Sequence, residues 1–464
     1  MPNQDTNPIH IHDTLSREKR RFVPIDPTNV RIYVCGPTVY DLAHIGNARP
    51  IVVFDVMVRL LRLVYGADHV TYVRNVTDID DKINARAYER GITIRDLTND
   101  TLDVFHNDIE ALNALPPDIE PRATEYIDPM KTIIQTLIDK GHVYEKDGHV
   151  LFNVPSMAEY GKLSRRKRDE LIAGARVEVA PYKKDPADFV LWKPSDPAKG
   201  EPGWDSAWGF GRPGWHIECS AMSRAHLGEI FDIHGGGLDL IFPHHENEIA
   251  QSRCAHDAPT MANYWMHNGY LMAEGEKMSK SLGNFYTVNE LLQVFPGEAI
   301  RLLLLKTHYR QPLDFTKDGL VEAKRELDGF YQALRQAGDA PIEGDVPPAF
   351  IDALSDDLNT PKAISLMHEA LSHANKGDKA AQGTLRACGA LVGLLQQPPE
   401  SWFRWQPTGA VEGLSDDDID ARIIARTEAR KNKDFATSDA IRDELQAAGI
   451  VLEDGAGTTT WRRG

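Results

Sequence analysis

The chain has 464 residues, of which 42% are hydrophobic and 26% are charged, and this composition is typical of a soluble globular protein with about three domains. Its formal net charge of −17 argues against indiscriminate binding of nucleic acid, because the overall field repels phosphate. A local basic run at 165–168 is equally well explained as an RNA contact or as a solvated surface. No apolar run approaches the roughly 20 residues of a membrane span, no secretory signal is apparent, and the four cysteines fit a reducing compartment, so we expect a cytoplasmic protein that does not enter a membrane.

Strands and helices alternate in the first third of the chain. Residues 30–34 form an apolar, β-branched run, which predicts a buried strand. A helix is predicted to begin near His44, and a second strand starts at Val70. Asp80 and Asp81 are typical of the start of the next helix. This strand–helix–strand order predicts a parallel sheet, and the glycines do not form the GxGxxG dinucleotide fingerprint.

The middle of the chain is predicted to be an insertion followed by the rest of the sheet. Helical patterns occupy 93–140, and a hairpin is predicted at 143–154. Residues 155–215 show little periodicity, and we interpret them as an insertion between two halves of the sheet. The sheet is predicted to resume at 229–234 and again at 264–272.

The last third is predicted to be helical, with a small terminal unit. The pattern is helical throughout 298–396, and residues 398–413 are interpreted as a linker. One helix is then predicted up to about Ala448, with short strands around 453–457.

Four residues that are far apart in the sequence have the character of a zinc site. Cys35 follows the first predicted strand, and Cys219 ends the run Trp-His-Ile-Glu-Cys. His244 and Glu248 are four residues apart, so on a helix they share one face. Two thiolates, an imidazole and a carboxylate suit zinc in type and number. His245 is an alternative ligand or a neighbour of the ligands. The competing interpretation of the two cysteines is that they are small buried hydrophobic residues.

Two further motifs carry charge or phosphate-binding geometry. His44-Ile-Gly-Asn47 lies where the first strand is predicted to turn into a helix, whose N terminus favours phosphate. Lys277-Met-Ser-Lys-Ser281 lies in a charged loop, and lysine is a mobile charge suited to a leaving pyrophosphate. Together these motifs resemble the two signatures of class I aminoacyl-tRNA synthetases. With Cys35-Gly-Pro-Thr-Val-Tyr and the zinc residues, the order is similar to that of the cysteinyl-tRNA synthetase family, from about Arg31 to the C terminus.

The resemblance implies an α/β fold with a Rossmann-like parallel-sheet catalytic domain that carries an insertion, followed by a helical bundle and a small C-terminal α+β anticodon-binding domain. In chain order, the predicted segments are the first catalytic half (1–125), the connective insertion (126–212), the second catalytic half (213–270), the lysine loop and stem-contact region (271–315), the helical bundle (316–400), and the linker with the anticodon-binding domain (401–464). No pattern indicates a role for residues 1–25.

The resemblance also assigns roles to individual residues. The catalytic residues would be His44, Asn47, Lys277 and Lys280, with Lys280 most directly on ATP. The residues expected to bind ATP are Gly36, Thr38, His44, Gly46, Asn47, Gly235, Gly236, Asp239, Lys277 and Lys280. Asp239 is of a suitable type to accept the ribose hydroxyl groups, and the glycines allow close approach of the nucleotide.

Two further sets complete the prediction. The amino-acid pocket is expected to include Thr77, Trp215 and His234. The anticodon is expected to contact Arg430, Phe435, Asp439 and Asp454, since single-stranded bases are read by stacking and by hydrogen bonds to their edges. For Phe435, packing into the core is nearly as well supported as stacking on a base.

The implied activity is ATP-dependent activation of L-cysteine, followed by its transfer to tRNA(Cys). One Zn²⁺ per chain would bind the substrate thiolate and so select against serine, whose hydroxyl is a poor ligand. Mg²⁺ is expected with ATP, and the chain is expected to be a monomer. Two alternatives remain: a related ligase that joins cysteine to an amino sugar, which the tail at 415–464 disfavours, and a non-catalytic zinc- and RNA-binding protein, which His44 and the two lysines disfavour.

Overall fold

The computed structural model describes residues 8–166, 180–279, 282–336, 344–408, 414–454 and 459–463. The strands are β1 (His10–Asp13), β2 (Glu18–Arg21), β3 (Val30–Val34), β4 (Val70–Arg74), β5 (Val143–Lys146), β6 (His149–Phe152), β7 (Phe189–Pro194), β8 (Gly211–Pro213), β9 (Phe231–Gly237), β10 (Ala262–Asn268), β11 (Leu271–Ala273), β12 (Leu313–Phe315), β13 (Ile450–Asp454) and β14 (Thr459–Arg463). The helices within these residues are α1 (Ile45–Tyr65), α2 (Asp81–Arg90), α3 (Ile94–Ala111), α4 (Ile127–Asp139), α5 (Trp215–Leu227), α6 (Glu246–His256), α7 (Val288–Leu292), α8 (Gly297–Leu305), α9 (Lys317–Arg335), α10 (Pro348–Ser355), α11 (Thr360–Ala374), α12 (Lys379–Leu391), α13 (Pro399–Arg404), α14 (Asp416–Lys431) and α15 (Phe435–Ala447).

A four-stranded parallel sheet in the order β10–β9–β3–β4 forms the centre of the molecule. Its strands are almost entirely buried, because helices cover both faces of a parallel sheet. Helix α1 connects β3 to β4 and buries Val52, Phe54 and Val56 in the same core as Ile32 and Ile233. The carboxyl ends of β3 and β9 therefore lie side by side, and the predicted metal and glycine motifs follow these ends.

The insertion contains more structure than the sequence predicted. The hairpin β5–β6 is present as expected, but β7 and β8 extend it to an antiparallel sheet in the order β5–β6–β7–β8. Residues 155–215, in which the sequence shows little periodicity, therefore contain the strands β7 and β8. Their pairing depends on partners distant in sequence, with a register shift between Val150 and Leu151, and short strands of this kind leave little local periodicity.

The helical third also differs in detail from the prediction. Strand β12 interrupts it and pairs in parallel with β11, and α13 lies within the predicted linker. The terminal unit has two helices, α14 and α15, because Lys433 adopts a positive φ of 59° and Asp434 then caps a new helix. Short strands were predicted around 453–457; the described strands β13 and β14 lie on either side of 455–458 and pair in an antiparallel manner. None of the helices in the described ranges combines the length and the apolar character that a membrane span requires.

Candidate active site

The four predicted metal ligands converge at the carboxyl ends of β3 and β9. Their ligand atoms all lie within 4.8 Å of one another. The Sγ atoms of Cys35 and Cys219 are 3.8 Å apart, and Nε2 of His244 lies 3.0 Å from Oε1 of Glu248. Tetrahedral zinc with Zn–S bonds of about 2.3 Å places two sulfur atoms about 3.8 Å apart. The four side chains therefore have the spacing, as well as the chemical type, that zinc requires.

Each ligand is held by a different element. Cys35 directly follows β3, and its N–H donates to the carbonyl of Gly235 in β9 at 3.2 Å. Cys219 lies in the second turn of α5. His244 lies in the turn that leads into α6, and Glu248 lies in the first turn of α6. Their convergence depends on the tertiary fold, with only His244 and Glu248 close in sequence.

Charge is concentrated in this buried cluster. Burial opposes ionisation of Glu248, but the neighbouring His234 and His244 outweigh it and lower the pKa of Glu248 to about 2. The hydrogen bond from Cys35 lowers the pKa of the Cys219 thiol to about 6. Burial, together with the adjacent Cys219, raises the pKa of Cys35 well above its usual value. The lowered pKa values of Cys219 and Glu248 favour the ionised forms in which these side chains bind zinc.

A second set of four ligand atoms overlaps the first. It consists of Cys35, His234, His245 and Glu248. In this set, however, Nε2 of His234 lies 2.8 Å from Oε2 of Glu248, and Nε2 of His245 lies 3.4 Å from Sγ of Cys35. Both histidines are thus placed to orient ligands by hydrogen bonds, a role that metal sites commonly give to neighbouring side chains. The first set also offers two sulfur atoms rather than one.

The residues predicted for the amino-acid pocket lie around this cluster. Trp215 is 40% exposed and stacks on His244 with ring centroids 4.3 Å apart. His234 is completely buried, and its Nε2 lies 2.8 Å from Oε2 of Glu248. Thr77 is buried too, and its hydroxyl donates to Oε2 of Glu218 at 3.0 Å. Trp215 is therefore the member of this set that faces solvent.

Helix α1 begins at the predicted phosphate motif. Nδ1 of His44 accepts a hydrogen bond from the N–H of Gly46 at 3.1 Å, and Oδ1 of Asn47 accepts one from the N–H of His44 at 3.0 Å. Burial lowers the pKa of His44, which favours the neutral ring. Because Nδ1 accepts, the neutral ring carries its proton on Nε2, the nitrogen that can donate to a phosphate oxygen.

The glycines of these motifs have packing roles that the sequence did not reveal. A Cβ atom on Gly36 would lie 1.6 Å from the carbonyl oxygen of Asn75, so two backbone segments cross here. A Cβ on Gly235 would lie 2.3 Å from the ring of Phe54, and one on Gly236 would lie 2.9 Å from the ring of His245. Close packing within the protein therefore requires glycine at these three positions.

The remaining predicted nucleotide contacts lie at the same edge. Thr38 pairs with Thr77 through an isolated parallel bridge, and Asp239 is exposed in the turn after β9. Asp239 is also one of the charges that act on His44. The two motifs predicted to contact nucleotide therefore lie close enough to interact.

The side chain of Asn284 forms hydrogen bonds with the backbone of the loop that carries Lys277. Oδ1 of Asn284 accepts from the N–H of Ser279 at 2.9 Å, and its Nδ2 donates to the carbonyls of Ala273 and Lys277 at 3.1 and 3.3 Å. Lys277 itself is exposed. Lys280, the other predicted catalytic lysine, lies outside the described residues.

The start of α1 is bonded to the segments on both sides of this loop. After the loop, the N–H of Ile45 donates to the carbonyl of Tyr286 at 3.0 Å. Before it, the buried guanidinium of Arg49 donates to the carbonyls of Gly269 and Tyr270 at 2.8 and 2.7 Å, and it also donates to Gln311. Burial lowers the pKa of Arg49 to about 10, so the group remains charged. The two signature motifs are therefore fixed to each other at both ends of the loop.

Sequence reasoning missed Arg49, Asn284 and Glu218 as parts of the site. Arg49 had a signal, because it is a lone charge on the apolar side of a helical pattern. Asn284 directly follows a glycine in the lysine loop, and this pair is typical of a turn. The pattern did not indicate that the Asn284 side chain bonds to the loop backbone. Glu218 precedes Cys219, but nothing in the sequence shows that it faces Thr77.

The residues predicted to contact the anticodon lie on the terminal unit. Phe435 is 62% exposed at the start of α15, so it does not pack into the core. Asp439 lies one turn later and is also exposed. Asp454 is already engaged by Arg426 through two hydrogen bonds of 2.8 and 2.9 Å, and Arg430 lies 3.5 Å from it. The structure therefore leaves Phe435 and Asp439 the most accessible of the four.

Comparison with known proteins assigns the family. A model described as "tRNA synthetases class I (C) catalytic domain" matches 21–325, a DALR domain model matches 349–397, and a model of the cysteinyl-tRNA ligase anticodon binding domain matches 415–462. The chain belongs to the cysteine–tRNA ligase family. Proteins of this name from Rhodospirillum rubrum and Paramagnetospirillum magneticum are 60% and 61% identical to it. These matches cover 98% of this chain and 99% and 100% of the relatives.

The comparison of structures agrees on the fold. The Mycobacterium tuberculosis methionyl-tRNA synthetase in complex with methionyl-adenylate matches with a TM-score of 0.52 and 16% identity, over 91% of this chain and 89% of that one. The predicted family and the predicted class I fold, with an insertion and C-terminal helical and anticodon-binding domains, are therefore confirmed.

Proposed function

We propose that this chain activates L-cysteine with ATP to form cysteinyl-adenylate, releases pyrophosphate, and transfers the cysteine to the 3′ end of tRNA(Cys). The observation that carries this proposal is the convergence of Cys35, Cys219, His244 and Glu248 beside the two signature motifs. Family membership gives the reaction class, and this buried sulfur-rich cluster gives a reason for cysteine as the substrate.

These four side chains would hold Zn²⁺. Once bound there, zinc supplies a Lewis-acid site with strong affinity for a thiolate and little for a hydroxyl group. His216 supports the site from outside, because its Nδ1 lies 3.0 Å from Nδ1 of His244 and leaves Nε2 of that ring directed at the cluster. An apolar pocket alone discriminates poorly between side chains of similar shape, typically by about 10–200-fold. A thiolate-binding centre therefore accounts for selection against serine.

The two signature motifs, at His44 and at Lys277, would bind the phosphate groups of ATP. The neutral ring of His44 and the N terminus of α1 would stabilise the negative charge that develops on the α-phosphate during attack by the carboxylate. Lys277, with Lys280, would accompany the leaving pyrophosphate as mobile positive charges. Mg²⁺ would accompany ATP as it does in other phosphoryl-binding sites.

The other partners follow from the domains. The terminal unit, with Phe435 and Asp439 exposed on one helix, would read the anticodon of tRNA(Cys) by stacking and by hydrogen bonds. We further propose that the protein acts as a cytoplasmic monomer. The domain limits predicted from the sequence remain proposals, and the matched models at 21–325, 349–397 and 415–462 are compatible with them.

The alternative functions are not favoured. A cysteine–amino-sugar ligase needs no anticodon-binding domain, whereas this chain matches one over 415–462. A non-catalytic zinc- and RNA-binding protein would have no use for the fixed geometry between His44 and the lysine loop.

Exchange of pyrophosphate into ATP, followed by charging of tRNA, tests the proposal. With zinc-loaded protein and no tRNA, we expect exchange that depends on cysteine and is negligible with serine. Addition of tRNA(Cys) should then yield cysteinyl-tRNA. Exchange without charging would favour the sugar ligase, and absence of exchange with zinc bound would contradict the catalytic assignment.

A further inference from the structure

The proposed function assigns no role to the N-terminal hairpin β1–β2. It spans His10–Arg21, and the matched catalytic model begins only at residue 21. The hairpin nevertheless packs along β10, an edge strand of the central sheet. Its turn is ordered by Asp13, whose Oδ1 accepts from the N–H groups of Leu15 and Trp265 at 3.2 and 3.0 Å. These bonds fix the hairpin to the sheet immediately before Thr14.

Thr14 is the residue that this arrangement places inside the protein. It is 4% exposed, and its N–H donates to the carbonyl of Trp265 at 2.8 Å. Its Oγ1 lies 2.7 Å from Nδ1 of His267 on β10. The backbone and the side chain of Thr14 are therefore both bonded to β10, and the side chain points at a buried imidazole.

A line of hydrogen bonds continues from His267 to a metal ligand. Nε2 of His267 lies 2.8 Å from Nδ1 of His245, and Nε2 of His245 lies 3.4 Å from Sγ of Cys35. Thr14, His267, His245 and Cys35 are thus consecutive partners, and we refer to these four residues as the relay.

With one proton in each of its three contacts, the relay has two arrangements of protons, which run in opposite directions. If Cys35 is a thiolate, Nε2–H of His245 donates to sulfur, Nε2–H of His267 donates to His245, and the Thr14 hydroxyl donates to His267. If Cys35 is a thiol, every bond reverses and the hydroxyl accepts. A hydroxyl group serves both arrangements, whereas a methyl group serves neither. A methyl group would also leave Nδ1 of His267 buried without a hydrogen-bond partner, which destabilises the arrangement.

We propose that Thr14 is a positioning residue of the metal centre, through which the N-terminal hairpin fixes the tautomers of His267 and His245 and so the hydrogen bond that Cys35 receives. This inference rests on the proposed zinc site. Hydrogen bonds to a coordinated thiolate stabilise its negative charge and orient it toward the metal. The hairpin thereby contributes to metal retention without supplying a ligand.

The rate of zinc release to a chromogenic chelator, measured on the full-length protein, tests the inference. The decisive pair is Thr14→Ala and Thr14→Ser, which differ by the hydroxyl group alone. We expect Thr14→Ala to release zinc about 10-fold faster than the wild type, within the range usual for neighbours of metal ligands, and Thr14→Ser to remain within about 2-fold. Thr14→Val should behave like Thr14→Ala, and the KM for cysteine in pyrophosphate exchange should rise with the release rate while the KM for ATP does not.

Thr28→Val is the matched control, because Thr28 is exposed and its hydroxyl donates to Asp26 in the same turn. It should leave zinc release unchanged. Equal release from Thr14→Ala and the wild type would overturn the inference, and so would equally fast release from Thr14→Ala and Thr14→Ser, since packing rather than the hydroxyl would then be responsible. A wild-type protein that holds no zinc would instead contradict the proposed metal site itself, so the two failures are distinguishable.

Discussion

The four candidate metal ligands and the loop that carries Lys277 are held in different ways. Cys219, His244 and Glu248 are at most 2% exposed, and they are positioned by α5, by the turn before α6 and by α6 itself. Lys277 is exposed, and the side chain of Asn284 bonds to the backbone of its loop at Ala273 and Lys277. A site that must distinguish a sulfur atom from an oxygen atom benefits from rigidity, whereas a site that meets a leaving phosphate group benefits from motion.

Loss of one metal ligand should have the largest effect. Cys219→Ser preserves the size of the side chain but removes a thiolate whose pKa is already about 6. We expect zinc content to fall and cysteine-dependent pyrophosphate exchange to drop by more than about 100-fold, because even neighbours of ligands cost 10–100-fold. Cys388→Ser is the control, since that thiol is buried in the helical bundle away from the cluster. Undiminished exchange in Cys219→Ser would show that the cluster is not needed for activation.

Removal of the exposed lysine should separate the two regions. Lys277→Ala is expected to lower the kcat of exchange by about 100-fold, as loss of one charge-stabilising group typically does, and to leave the zinc content unchanged. Lys317→Ala is a matched control, because Lys317 lies over the ring of Tyr286 beside the loop but outside it. Loss of zinc from Lys277→Ala would mean that the two regions are not independent.

Loss of the Asn284 side chain should lower the kcat of exchange less than loss of the Lys277 charge does. Asn284→Ala frees the carbonyls of Ala273 and Lys277 and the N–H of Ser279, so the loop loses its fixed shape. We expect kcat to fall by about 10-fold with zinc content and the KM for cysteine unchanged, since misplacement of a catalytic group costs less than its removal. Steady-state exchange at saturating cysteine measures this. A change confined to the KM for cysteine would show that Asn284 acts on cysteine binding rather than on the loop that carries Lys277.

The buried carboxyl group of Asp108 should give the smallest effect, which is on stability. Burial raises the pKa of Asp108 in α3 to about 6, although Asn289 of α7 donates to it at 3.1 Å. A raised carboxyl pKa means that the folded state binds this proton more tightly than the unfolded state, so the penalty from Asp108 grows as pH rises from 4 to 7. Asp108→Asn should therefore raise the free energy of unfolding by about 2–3 kcal/mol at pH 7 and by about half as much at pH 5.

Urea unfolding of the wild type and of Asp108→Asn at both pH values measures this difference. The gain must shrink as pH falls, because the carboxyl group of the folded wild type then becomes neutral. A gain that is the same at pH 7 and pH 5 would show that the charge of Asp108 is not the cause.

Features that depend on the type and order of residues could be predicted from the sequence. The ligand set beginning with Cys35, the phosphate motif at His44 and the parallel sheet could each be predicted, because their signals are local or carried by motifs. The antiparallel sheet of the insertion could not, since β7 and β8 pair with strands distant in the chain. The role of Arg49 depends on the carbonyl groups of Gly269 and Tyr270, which lie 220 and 221 residues later in the chain. No local sequence pattern predicts such a contact.

X-ray absorption at the zinc edge, with and without cysteine, tests the central claim most directly. With Cys35, Cys219, His244 and Glu248 as ligands, the zinc-loaded protein should show two sulfur neighbours. We predict a third sulfur neighbour when L-cysteine is added, and no change when L-serine is added at the same concentration. Two sulfur neighbours in the presence of saturating cysteine, under conditions where pyrophosphate exchange proceeds, would contradict the account.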